Sequence, residues 1–99
     1  MDIKIHAIHF DISSQLEAHA NKKVVKLAKL SDDILSVDVF LKVVKPESAV
    51  NKEAEIKVKV PNTEFFAAKV TNSFEESIDS AIEAIEKQIV KFKEKLRSK

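Results

Sequence analysis

The side chains best suited to chemistry in this sequence are lysines, and they fall into two groups. Lys22, Lys23, Lys26 and Lys29 lie in residues 22–30, which contain no acid, and Lys87, Lys91, Lys93 and Lys95 are followed by Arg97 and Lys99, with only Glu94 between. These ten basic residues and one acid amount to +9 on a chain whose formal net charge is +1, so all other positions together hold −8. An ammonium group on a flexible stem is a point charge that suits phosphate oxygens. A row of them binds a polyanion by releasing its counterions, with strong salt dependence and little base preference. Segregated charge also creates a local positive potential that the net figure hides. The competing account is structural: a lysine stripe can be a solvated face, and acids before cations on a helix match its macrodipole, worth roughly 0.3–1 kcal/mol per charge.

Other chemistries lack their residues. With no glycine and no cysteine, the chain has no Gly-rich phosphate loop, thiolate nucleophile, disulfide or sulfur-ligated metal. His6 and His9 sit three apart in an expected strand and so point to opposite faces, which does not make a metal pair. His19 reads as a surface residue beside the first lysine group or an auxiliary RNA contact. Glu75 with Glu76, and Asp32 with Asp33, stand at helix boundaries where capping and dipole effects account for them. Six phenylalanines without Tyr or Trp describe a core more than a base-stacking platform. Phe74 and Phe92 belong to an apolar stripe, leaving Phe40 and one of Phe65 or Phe66 for the surface. No catalytic residue, cofactor, metal or small-molecule substrate is expected. The ligand that such a surface fits is duplex or folded RNA, read by shape and phosphate spacing.

Ninety-nine residues, 44% apolar and 33% charged, fit one small soluble domain over residues 1–99. No apolar run approaches the roughly 18–20 residues of a membrane span, and the start shows no signal-peptide pattern, so a cytoplasmic protein without a membrane partner is expected. The first element, Asp2 to Phe10, alternates as a strand. Ser13 or Ser14 then caps a helix running to about Leu30, with Leu16, Ala20, Val24 and Leu27 on one side and Lys22, Lys26 and Lys29 on the other. Ser36 to Val44 alternates cleanly, with Val37, Val39, Leu41 and Val43 facing one way. Lys45–Lys52 reads as a hairpin loop. Glu53 to Val60 is a third strand, Pro61-Asn62-Thr63 a turn, and Glu64 to Thr71 a fourth strand whose facing Phe65-Phe66-Ala67-Ala68 blurs. A long helix follows from Ser73 to Lys99, its stripe formed by Phe74, Ile78, Ala81, Ile82, Ile85, Ile89, Phe92 and Leu96.

The order βαβββα predicts an α+β, two-layer sandwich. A crossover helix makes the first two strands parallel, short links make the remaining pairs antiparallel, and both helices cover one face of a four-stranded mixed sheet. The helices then run parallel and emerge at the same edge. On this reading Lys22, Lys23, Lys26, Lys29, Lys87, Lys91, Lys93 and Lys95 form one composite RNA-binding surface, with the acidic half of the long helix turned away from it.

At this point the chain resembles the ribosome hibernation promoting factor family, whose other branch is the ribosome-associated inhibitor called protein Y. The resemblance covers nearly all residues. Its carriers are Asp11-Ile12-Ser13, Lys22-Lys23-Val24-Val25-Lys26-Leu27-Ala28-Lys29-Leu30, Leu41-Lys42-Val43, and Ser77-Ile78-Asp79 leading into Lys87-Gln88-Ile89-Val90-Lys91-Phe92-Lys93-Glu94-Lys95-Leu96. It implies binding to small-subunit rRNA in the mRNA and tRNA channel, translation inhibition in stress or stationary phase, and rRNA contacts at Lys23, Lys26, Lys29, Lys87 and Lys91. The chain reads Ser73-Phe74-Glu75 where the family often has Asp-Met-Tyr, and Ala84 stands where a further basic residue is common. It resembles the short form, without a C-terminal dimerisation domain, and a monomer off the ribosome is expected. Two other readings stay open on the residues alone. They are a general structured-RNA module and a protein interaction module using the long helix.

Overall fold

A computed structural model describes residues 1–97, and side chains up to Leu96. The chain runs β1 (Asp2–Ala7), α1 (Ser14–Val25), a 3-10 turn (Lys26–Lys29), β2 (Ser36–Val43), β3 (Lys52–Val60), β4 (Thr63–Thr71) and α2 (Phe74–Arg97). The strands lie in the order β1-β2-β3-β4, with β1 parallel to β2 and the other two pairs antiparallel. This is the expected α+β sandwich. The expected end of the second helix at Lys99 lies outside the described residues.

Period-two alternation fixes the sheet. Along its covered face run the rows Ile3, Val37, Val58, Phe65 and Ile5, Val39, Ile56, Ala67. Against them pack Leu16, Ala20, Val24 and Leu27 from the first helical segment and Ile78, Ala81, Ile82, Ile85 and Ile89 from α2, all buried. Each Val, Leu or Ile among them contributes about 1.5–3 kcal/mol on burial. The ambiguous fourth strand is settled by this register: Phe65 faces the core at 7% exposure, and Phe66 faces water at 50%. Val43, expected inward, is exposed because it ends the β2 ladder opposite Lys52, beyond the inner rows that the helices cover. Strand β1 stops at Ala7, three residues short of the expected end, where the chain bends and His9 takes φ 63°.

Helix termini follow capping chemistry. Ser13 caps α1, its Oγ accepting the Leu16 N–H at 3.1 Å. Ser73 caps α2 by accepting the Glu76 N–H at 3.2 Å. The reciprocal half of that capping box is absent, since the Ser73 N–H goes to Thr71 Oγ1 at 3.3 Å. Without glycine, the positive φ values fall on His9, Lys45 and Asn62. Asn62, at φ 67°, completes the two-residue turn between β3 and β4, a conformation that asparagine tolerates well. The loop after β2 is closed by the Val44 N–H bonding the Asn51 carbonyl at 2.8 Å.

Helix α2 outruns the layer it covers. At 1.5 Å per residue its 24 residues span about 36 Å, in a molecule 49 × 23 × 18 Å. Its apolar stripe loses cover accordingly: Ile89 is 1% exposed, Phe92 is half-buried, and Leu96 is 59% exposed.

Candidate nucleic-acid interface

The first lysine group straddles a change of helix type. Lys22 and Lys23 are in α1, whereas Lys26 and Lys29 are in the 3-10 turn that replaces the expected last turn of α-helix. At three residues per turn, positions three apart eclipse, so Lys26 and Lys29 stand in line along the axis. Lys22, Lys26 and Lys29 are exposed, and Lys23 is half-buried.

On α2, Lys87, Lys91 and Lys95 follow at intervals of four and drift about 40° around the axis at each step, which makes one continuous stripe. Lys87 lies 3.6 Å from Glu83 one turn earlier. Lys91 and Lys95 flank an open groove of about 730 Å³ whose floor is Phe65 and Phe92. Lys93 departs from this stripe. It lines a small cavity of about 120 Å³ with Ser31, Asp33 and Leu96, on the side of the loop that follows the first helix.

The two helices run parallel and touch in register. His19 Nε2 is 2.8 Å from Asp79 Oδ1, and Lys23 Nζ is 3.6 Å from the same oxygen. One turn further along, Lys26 shares a depression of about 210 Å³ with Glu83 and Glu86. Past the end of the first helix, Leu30 lines an open groove of about 730 Å³ with Val90, Lys87 and Lys91. The expectation of an acidic half turned away from the lysines is therefore corrected. Parallel helices place the start of one beside the start of the other. The basic first helix thus meets the acidic half of α2, and α2 becomes basic only where its neighbour has stopped. The lysine groups follow one another along the helix pair, with Asp79, Glu83 and Glu86 beside the first group.

Sequence reasoning missed two residues here. Asp79 was part of a recognisable segment, but nothing in its local spacing showed that it would meet His19 and Lys23 from a helix some sixty residues earlier. Gln88 belongs to the long helix and to the segment that carries the family resemblance, but neither shows that its carboxamide reaches the edge of β4, accepting from the Phe66 N–H at 3.3 Å and donating to the Phe66 carbonyl at 2.8 Å.

The opposite sheet face is mixed in charge. On it His6 stacks on Phe40, with ring centroids 4.6 Å apart and planes at 12°. His6 Nε2 also lies 3.2 Å from Asp38 Oδ1. Among the described residues, no group of three or more His, Asp or Glu is disposed to hold a metal ion, and no helix is long and apolar enough to cross a membrane.

Comparison with solved structures gives the same architecture twice. The Thermus thermophilus protein Y N-terminal domain superposes with a TM-score of 0.80 at 24% identity, covering 93% of this chain and 99% of that one. A ribosomal subunit interface protein from Coxiella burnetii superposes with a TM-score of 0.83 at 22% identity, covering 94% and 98%. Those likenesses establish the fold. No curated protein sequence matches at a significant level. The sequence profile described as sigma 54 modulation protein / S30EA ribosomal protein matches residues 3–97. With that match spanning nearly the whole sequence, the chain belongs to this family, the ribosome hibernation factors that its lysine segments and βαβββα order resemble.

Proposed function

We propose that this protein silences idle ribosomes by occupying the mRNA and tRNA channel of the small subunit, held there by lysine contacts to rRNA phosphates. The observation that carries the reading is family membership over residues 3–97. The exposed row formed by Lys22, Lys26 and Lys29 and continued by Lys87 and Lys91 supports it. The name of the Coxiella burnetii neighbour, a ribosomal subunit interface protein, points the same way. The protein acts by occupancy rather than catalysis. It needs no cofactor, works in the cytoplasm under stress or in stationary phase, and is a monomer off the ribosome.

Lys87 and Lys91 are the residues to test, since they are exposed and lie where α2 has passed the end of its neighbour. Replacing both by glutamate exchanges two phosphate contacts for two repulsions. Lys87→Glu with Lys91→Glu is expected to abolish co-sedimentation with small subunits while circular dichroism stays native. Unchanged co-sedimentation would sink the reading. Competition between ribosomes and an arbitrary RNA duplex separates it from a general structured-RNA module, which would bind both comparably.

A further inference from the structure

Strand β4 is an edge of the sheet, and Gln88 closes it at one place. The carboxamide accepts from the Phe66 N–H and donates to the Phe66 carbonyl, at 3.3 and 2.8 Å. That is the exchange a residue on a neighbouring antiparallel strand makes in a hydrogen-bonded pair. Because Phe66 directs both groups outward, the alternation of the ladder sends those of Glu64, Ala68 and Val70 to the same edge. The outer face beside that edge is apolar, with Phe66 50% and Val70 40% exposed and Ala68 exposed between them.

We infer that Gln88 is a gate that keeps β4 from pairing with the β4 strand of a second copy of this chain. The sequence of the edge is self-complementary about Ala68. In an antiparallel pair with its two-fold axis there, Phe66 stands opposite Val70, an aromatic and β-branched pair of the kind that stabilises sheets. Glu64 falls opposite Asn72, and Lys69 opposite Ala67, so no like charges meet. Such a pair would join two four-stranded sheets into one of eight strands. It requires the Phe66 N–H and carbonyl for its hydrogen-bonded rungs, and those are the groups Gln88 occupies. An uncovered apolar edge is a standing template for association, and covering its polar groups is a way to blunt it.

The test is molar mass by light scattering across a concentration series, for three versions of the whole chain. The wild type is expected to remain at 11.1 kDa. Gln88→Ala is expected to move towards twice that mass as concentration rises. Adding Ala68→Lys to it places two lysines face to face on the axis and should restore the monomer. Circular dichroism and small-subunit binding report whether each variant is folded. A folded Gln88→Ala protein that stays monomeric would overturn the inference. So would a dimer that survives Ala68→Lys, or a wild type that already dimerises.

Discussion

Ser77 is fully buried in the first turn of α2, and its hydroxyl joins three elements. Its Oγ accepts the Thr71 N–H at 3.1 Å and donates to the Lys52 carbonyl, standing where the β3–β4 ladder would otherwise have its last rung. Ser77→Ala leaves both part-buried backbone groups without that partner, so a loss of about 1–3 kcal/mol is expected, read as a lower urea midpoint at unchanged slope. A serine beside an apolar stripe gives no sign of this in the sequence, because its partners come from strands that only the fold brings together. Phe65 and Phe66 teach the same lesson. Two adjacent phenylalanines carry no alternation, and only pairing with Val58 and Lys57 decides which of them enters the core.

Among the elements, those with an uninterrupted period were legible: β2 and β3 lie within a residue of their expected bounds, and α2 begins one residue after its expected start. Less legible was the end of the first helix, where Lys26–Lys29 tighten to 3-10 geometry. The apolar spacing of Val24 and Leu27 serves either winding, so it could not distinguish them. On α2 the stripe was correct, yet spacing says nothing of where cover ends. Burial assigns the energy instead. Ile85→Ala, at 0% exposure, is expected to cost about 2–5 kcal/mol, whereas Leu96→Ala, at 59%, should stay within about 0.5 kcal/mol in the same denaturation assay.

Across the whole molecule, segregation of charge was readable from composition, but the meeting of opposite charges was not, since it depends on helix register. Asp79 holds Lys23 and His19 at the end of the helix pair where the proposed phosphate path begins. A carboxylate about 4 Å from a phosphate-binding cation offsets roughly 1 kcal/mol in water. Asp79→Asn is therefore expected to tighten small-subunit binding about fivefold and steepen its salt dependence, measured by sedimentation over a salt series. The overhang of α2 has a consequence for how such a protein changes. Beyond Phe92, the last side chain of the stripe packed against the core, the helix leaves it while its lysines continue, so the end of the proposed RNA-binding segment adds little apolar burial to the free energy of folding. Charge there is free to vary: the tip can be retuned towards a different polyanion, or away from one, while the sheet beneath keeps its stability.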